Sequence, residues 1–262
     1  MNPVEVAGLF LAAAAAGVIN AVAGGGTLVT FPVLLAFGVP PVTANATSTV
    51  GLLVGTAGSM LGYRRHLETV RPWLRKFLPV SLLGGLVGSG LVIAGDPDTF
   101  RRLVPFLILF ATLLFTVQGA LRRLAGARPC GGEGGMGGTG RPVAGVVLFQ
   151  FAVAVYGGYF GAGIGILMLA TFGFLGLPGI HEMNALKTVL GAVINVVAAV
   201  SFVVAGLVDW PRALVMTLGA FAGYWAGAQA AQRIPAAAVR GVVTVTGFGL
   251  AAWTFWKEFG GS

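Results

Sequence analysis

Ten apolar runs follow one another along the chain, each cut off by glycine, proline or charge. They are Val6–Ala23, Thr27–Phe37, Ala44–Leu61, Phe77–Ala94 and Leu103–Leu121, then Val143–Phe160, Ile164–Leu177, Ala185–Ala205, Ala213–Ala230 and Val239–Trp256. Eight of them approach the roughly 20 residues that a helix needs to cross hydrocarbon. Thr27–Phe37 and Ile164–Leu177 do not. Eleven helical residues rise about 16 Å against a core of about 30 Å. Each short run follows a glycine cluster, Gly24-Gly25-Gly26 or Gly161-Ala162-Gly163-Ile164-Gly165. Short, glycine-interrupted apolar segments in corresponding places are the sequence mark of discontinuous helices. The pattern predicts an all-α polytopic membrane protein.

The second five runs repeat the first five. At a shift of 139 residues, Ala23-Gly24-Gly25-Gly26-Thr27-Leu28 falls on Ala162-Gly163-Ile164-Gly165-Ile166-Leu167. At the same shift Asn45-Ala46 falls on Asn184-Ala185 and Thr49-Val50 on Thr188-Val189. The expected organisation is an N-terminal membrane repeat over 1–121, a glycine-rich cytoplasmic linker over 122–142, and a C-terminal repeat over 143–262. Each homologous repeat would hold four long transmembrane helices plus the short broken segment. If that segment crosses, each half crosses five times and the halves are inverted; if it is re-entrant, they are parallel. Arg64, Arg65, Arg71, Arg75 and Lys76 in one loop, and the arginines of the linker, place those segments in the cytoplasm. The matching loop of the second half has only Asp209 and Arg212, which favours inversion.

Composition narrows the class further. The chain of 262 residues is 56% hydrophobic and 9% charged, against about 25% charged in a soluble domain. That excludes a soluble enzyme or a disordered tail. The net charge of +8 sits in short loops, where it orients helices, so no nucleic-acid partner is expected. Cys130 is the single cysteine, and His66 and His181 stand apart, so neither metal nor cofactor is expected. Met1–Val6 lacks the basic region of a cleavable signal peptide and contains Glu5. The expected setting is the plasma membrane, a bacterial inner membrane, crossed many times.

Polar residues inside apolar runs are the candidates for function. Asn184, Lys187, Thr188, Gly191 and Asn195 recur at helical spacing, and Asn45, Ser48, Thr49 and Thr56 repeat the stripe in the first half. Unpaired polar groups cost several kcal/mol in hydrocarbon, so both stripes must face protein or water. Interhelical hydrogen bonding explains such stripes as well as a binding site does. Lys187 is a charge in an apolar helical context, suited to an anionic group; snorkelling from a helix start, balanced by Glu182, is the plainer account. Asn20 and Tyr159 occupy equivalent places before the glycine clusters, and Gln150 and Tyr156 are candidates for the same cavity. Gly84, Gly85 and Gly88, with Gly219, Gly223 and Gly227, read as small-residue helix packing.

Gly17-Val18-Ile19-Asn20-Ala21-Val22-Ala23-Gly24-Gly25-Gly26-Thr27-Leu28, with Pro32 and Asn45-Ala46-Thr47, resembles the first half of the TauE/SafE sulfite exporter family. Tyr156-Gly157-Gly158-Tyr159-Phe160-Gly161-Ala162-Gly163-Ile164-Gly165, Asn184-Ala185-Leu186-Lys187 and Val208-Asp209-Trp210 resemble its further motifs. The resemblance implies a duplicated transporter of a small sulfur-containing anion: sulfite, thiosulfate or an organosulfonate such as sulfoacetate. Many members carry a lysine where this chain has Ser48, which leaves Lys187 without a second cation. The expected reading is a secondary transporter working by alternating access, with no catalytic residue. Asn20, Gly24, Gly25, Gly26, Thr27, Asn45, Ser48, Thr49, Tyr159, Gly163, Gly165, Asn184, Lys187, Thr188 and Asn195 would form the substrate site. The expected partners are that anion, the lipid bilayer and a second copy in a homodimer. The rivals are a transporter of a cation or another solute and a non-transporting membrane scaffold subunit.

Overall fold

In the computed structural model, residues 1–22, 25–53, 55, 67–126, 141–172, 180–230 and 236–259 are described. Among them every regular element is a helix: α1 (Pro3–Val22), α2 (Thr27–Ala36), α3 (Pro41–Gly51), α4 (Leu67–Ala94), α5 (Pro97–Gly126), α6 (Arg141–Tyr159), α7 (Ile164–Phe172), α8 (Ile180–Val204), α9 (Trp210–Ala230) and α10 (Ala236–Phe259). Four stretches are long and apolar enough to cross a membrane by length and composition: Pro3–Asn20, Glu68–Ala94, Pro97–Val117 and Glu182–Val204. Large apolar side chains cover the outside, among them Leu83, Leu148, Val204, Phe221 and Val245. Such a surface suits lipid rather than water.

The helices outrun the apolar runs at several ends. The stretch of the expected basic loop from Leu67 to Lys76 is the start of α4, whose 28 residues make about 42 Å. Arginine and lysine are good helix formers, so charge ends the hydrocarbon run without ending the helix. The expected linker also shortens: α5 runs on to Gly126 and α6 begins at Arg141, so only 127–140 lies outside both, beyond the described residues. Thr56, Arg64, Arg65 and Cys130 lie outside the described residues as well. Asp96 starts α5, its Oδ2 accepting from the Thr99 N–H at 2.9 Å and the Thr99 hydroxyl at 3.0 Å. Those donors hold the Asp96 carboxyl below its ordinary value.

Two pairs of helices pack closely and in parallel, with glycine at the crossings. Along α1 and α9, Glu5 meets Arg212, Gly219 meets the Phe10 carbonyl and Gly223 the Ala14 carbonyl. Along α4 and α6, Ser81 meets Gln150, Gly84 meets Ala154, and Gly88 meets the backbone from Val155 to Tyr159. Glycine is required because a Cβ at these crossings would strike backbone. Helix α3 also runs parallel to α9, Thr47 facing Asp209, Gly51 facing Met216 and Gly55 facing Tyr224. Since α1 and α3 both run with α9, the short α2 between them carries the chain back. Helices α5 and α10 run antiparallel, with Arg101 on Glu258, Phe106 on Phe255 and Thr112 on Gly247.

The main pairings exchange when residues are shifted by 139. Pro41 and Pro97, which open α3 and α5, fall on 180 and 236, where α8 and α10 open. The contact α1–α9 becomes α6–α4, α3–α9 becomes α8–α4, and α2–α10 becomes α7–α5. The two ends of the bundle are nevertheless unlike. At the Glu5 end, α1, α3 and α9 are tied by Arg212, which bonds both Glu5 (Nε to Oε1, 2.7 Å) and Asp209, while the Asp209 N–H donates to the Thr47 hydroxyl at 3.0 Å. At the equivalent place beside α4 stand Val70, Trp73 and Phe77, packed with Phe172.

Candidate functional site

The two glycine turns differ in how their N–H groups are used. In the first, the Asn20 side chain folds back over the turn, and its Oδ1 accepts from the Gly26 N–H at 2.6 Å. The Leu28 N–H bonds the Gly25 carbonyl, and those of Val29 and Thr30 bond that of Gly26. Gly25 has φ +98° and lies under the Phe115 ring, so no side chain fits there. The start of α2 is therefore largely closed by the chain itself. Asn20, which makes this closure, stands where the second half has Tyr159. Gly24 lies outside the described residues.

The second turn is open. Gly161 and Gly163 have φ of +81° and +80°, the left-handed region that glycine tolerates. The Tyr156 hydroxyl donates to the Ala162 carbonyl at 2.8 Å and pins the turn. Among the described residues no hydrogen bond reaches the N–H of Gly163, Ile164 or Gly165. These are the groups that the start of a helix presents to an anion. The stem of Lys187, one turn into the polar stripe of α8, lies against Gly165, where a Cβ would come within 3.2 Å of Lys187 Cδ. Asn195 of the same helix approaches Gly161, its Oδ1 3.8 Å from where a Cβ would be.

From the other half, Asn45 on α3 reaches the same turn. Its Nδ2 donates to the Tyr159 carbonyl at 2.9 Å. Its Oδ1 is buried and has no hydrogen-bond partner, an arrangement costing about 1–3 kcal/mol. Asn45, Tyr159, Gly163, Gly165, Lys187 and Asn195 thus gather at one turn. Asn184 and Thr188 are half-buried on the same helix. Ser48 is turned elsewhere, against the Thr30 hydroxyl at 2.6 Å, and Thr49 donates to the Asn45 carbonyl within its own helix. Thr27 opens α2 and is half-buried.

Sequence reasoning placed Gln150 with this turn, and the structure does not. Its Nε2 donates to Ser81 Oγ at 3.0 Å in the seam between α4 and α6. The Glu5–Arg212–Asp209 cluster and the Thr30–Ser48 pair were not expected. Glu5 sits in the first turn of α1, and only its remote partner Arg212 gives it a role. Aromatic rings close the turn on one side, Phe100 on Tyr159 at 5.4 Å and Phe31 on Phe160 at 5.2 Å between centroids. Among the described residues, no three His, Cys, Asp or Glu side chains converge to hold a metal.

The family profile described as "Sulfite exporter TauE/SafE" matches residues 9–254. The chain belongs to the TauE/SafE family. It is 28% identical over 248 residues to "Probable membrane transporter protein ORF9" of Sinorhizobium sp, covering 93% of this chain and 89% of that protein. It is 26% identical over 223 residues to "Probable membrane transporter protein YfcA" of Escherichia coli K12, covering 85% and 79%. A "Probable membrane transporter protein" of Haemophilus influenzae is 28% identical over 245 residues, covering 93% and 92%. No solved structure is a significant match. This TauE/SafE chain is a multi-pass membrane transporter and not an enzyme.

Proposed function

We propose that this TauE/SafE transporter moves a small sulfur-containing oxyanion, such as sulfite, thiosulfate or sulfoacetate, bound at the turn that opens α7. The observation that carries the reading is the difference between the two turns. Asn20 occupies the first, while the second leaves N–H groups open and lays the Lys187 stem across Gly165. Backbone dipoles and one ammonium suit an anion, and the absence of a carboxylate among these residues disfavours a cation. Asn45, Thr188 and Asn195 would meet the anion's oxygens, with Asn184 and Tyr159 beside them.

The transporter would be built of two inverted repeats. Supporting this are the helix starts that coincide at the 139-residue shift, and the antiparallel course of α5 and α10, equivalent helices that would be co-directional in a parallel duplication. The return of the chain in α2 supports five passes per half. Alternating access would then rock one repeat on the other around the Asn45–Tyr159 contact.

The test is thermal stabilisation of the purified protein by sulfite, thiosulfate, sulfate, sulfoacetate, an aryl sulfonate, acetate and chloride. A ligand at 100 times its dissociation constant stabilises by about 2.7 kcal/mol. The expected result is selective stabilisation by one sulfur oxyanion, lost in Lys187→Met while the unliganded melting temperature is kept. Equal stabilisation in wild type and Lys187→Met would remove the lysine from the site. No stabilisation by any of these anions in a folded protein would refute the substrate class.

A further inference from the structure

Asn45 holds an acceptor that the fold leaves unanswered. It sits one turn into α3, 1% exposed, in a run from Ala44 to Ser48 that is buried throughout. Its Nδ2 donates to the Tyr159 carbonyl at 2.9 Å, across 114 residues. A carbonyl only accepts, so the amide nitrogen must face Tyr159 and the orientation of the carboxamide is fixed. Oδ1, at the other end of the same carboxamide, is buried and has no hydrogen-bond partner. Gln150 Oε1 is the other such atom among the described residues. It belongs to the seam with Ser81, nine residues before Tyr159 on α6 and about 14 Å away along the helix. Of the two, Asn45 Oδ1 is the one at the glycine turn.

The turn itself supplies donors. The N–H groups of Gly163, Ile164 and Gly165 are open, and the Lys187 stem lies against Gly165. These suit the deprotonated oxygens of an anion. Oδ1 does not. An oxyanion with no hydrogen of its own offers only lone pairs, which repel a buried acceptor and leave it unpaired. An oxyanion that bears a hydroxyl answers both sets: its bare oxygens take the N–H groups, and its O–H donates to Oδ1. A buried polar group that pairs with a ligand's hydroxyl discriminates sharply against the analogue lacking it.

We infer that Asn45 is the specificity-determining residue of the α7 turn, and that it selects a sulfur oxyanion carrying its own hydroxyl, hydrogen sulfite or a hydroxyalkanesulfonate. The inference rests on the reading of that turn as the anion site. Asn45 Oδ1 accepts from the ligand hydroxyl while Nδ2 keeps its bond to the Tyr159 carbonyl, so binding leaves the contact between α3 and α6 in place. The sulfite dianion, thiosulfate and unsubstituted alkanesulfonates lack the hydrogen and bind more weakly.

Two matched ligand pairs test this on the purified full chain, at one mildly acidic pH where sulfite is mostly hydrogen sulfite. Hydrogen sulfite is compared with methanesulfinate, and 2-hydroxyethanesulfonate with propane-1-sulfonate. Within each pair the charge is the same and a methyl group replaces the hydroxyl. Dissociation constants are read from the rise of melting temperature with ligand concentration. The hydroxyl member of at least one pair is expected to bind about tenfold more tightly or better. The pair that shows this tells whether the hydroxyl sits on sulfur or on carbon. In Asn45→Leu the preference should vanish, through weaker binding of the hydroxyl member. Equal affinities within both pairs in the wild type overturn the inference, whether or not Asn45→Leu folds. So does a preference that survives in Asn45→Leu. Binding without preference leaves the reading of the α7 turn standing and removes only the role of Asn45. If no member of either pair binds the folded wild type, both readings fall together.

Discussion

Gly17→Ala in α1 tests whether the helix seam holds the first glycine turn. A Cβ at Gly17 would stand 2.5 Å from the Ala220 carbonyl oxygen, 2.7 Å from Tyr224 N and 2.9 Å from Gly223 C. Ordinary contact begins at 3.4 Å, so α1 and α9 must part by close to 1 Å. All three obstacles are backbone, and no rotamer change relieves them. Overpacking of this kind costs about 1–3 kcal/mol, against up to about 1 kcal/mol gained in helix propensity. Gly8→Ala on the same helix has the same propensity gain but meets only the edge of the Phe37 ring, at 2.8 Å and 3.1 Å, which can turn aside. The assay is thermal unfolding of both variants in one detergent. Gly17→Ala is expected to melt below wild type, and Gly8→Ala at or above it. The separation also pulls Tyr224 from Asn20, to which it is hydrogen-bonded, and so loosens the cap on Gly26. Hydrogen exchange at the Gly26 amide should therefore rise in Gly17→Ala alone. A melting temperature for Gly17→Ala equal to that of Gly8→Ala would refute the close seam and the coupling argued from it.

Asn20→Ala frees the Gly26 N–H and is expected to cost about 1 kcal/mol of stability, yet to leave stabilisation by the bound oxyanion within about twofold, because the anion sits at α7. Loss of binding in that variant, read by the same thermal shift, would move the site to α2. Arg212→Met leaves the buried Glu5 carboxylate without its partner and is expected to destabilise by about 3 kcal/mol, while adding Glu5→Gln recovers most of it; chemical unfolding of the single and double variants measures the difference. The Asp96 carboxyl, held low mainly by the Thr99 N–H, contributes stability that is present above its unfolded value of about 3.9 and lost as pH falls through its folded value. Thr99→Ala removes the hydroxyl donor and keeps the N–H, so it should raise the titration midpoint only slightly in carbon NMR, and an unchanged midpoint would remove the hydroxyl's share of the cap.

Composition and periodicity fixed much of the plan. Hydrocarbon accepts only long apolar helices, so the runs could be read directly, and Asn-Ala and Thr-Val pairs at one spacing are the signal from which a repeat is proposed. Helix ends were less visible. The start of α4 at Leu67 lies in charged sequence, since a helix continues past the bilayer edge as readily as within it. Local chemistry also left out the partners of Ser48, read as a site residue, and of Gln150, a candidate for the same cavity. Each has a polar partner on another helix, Thr30 or Ser81, and hydropathy carries no record of which helix comes alongside.

The sequence by itself determined that this is a helical membrane protein with two glycine-broken short segments and one charge, Lys187, set among apolar residues. These follow from the solvent, which rewards apolar length and penalises each polar group locally. The tertiary structure alone decided which turn stays open, which cation is shared and which buried acceptor is left without a partner. Asn45 meets Tyr159 across 114 residues, and Arg212 meets Glu5 across 207. Glycine backbones let α1 approach α9 and α4 approach α6, and those approaches bring the distant partners together. A pairing across such distances depends on the packing of whole helices, so no window of sequence contains it.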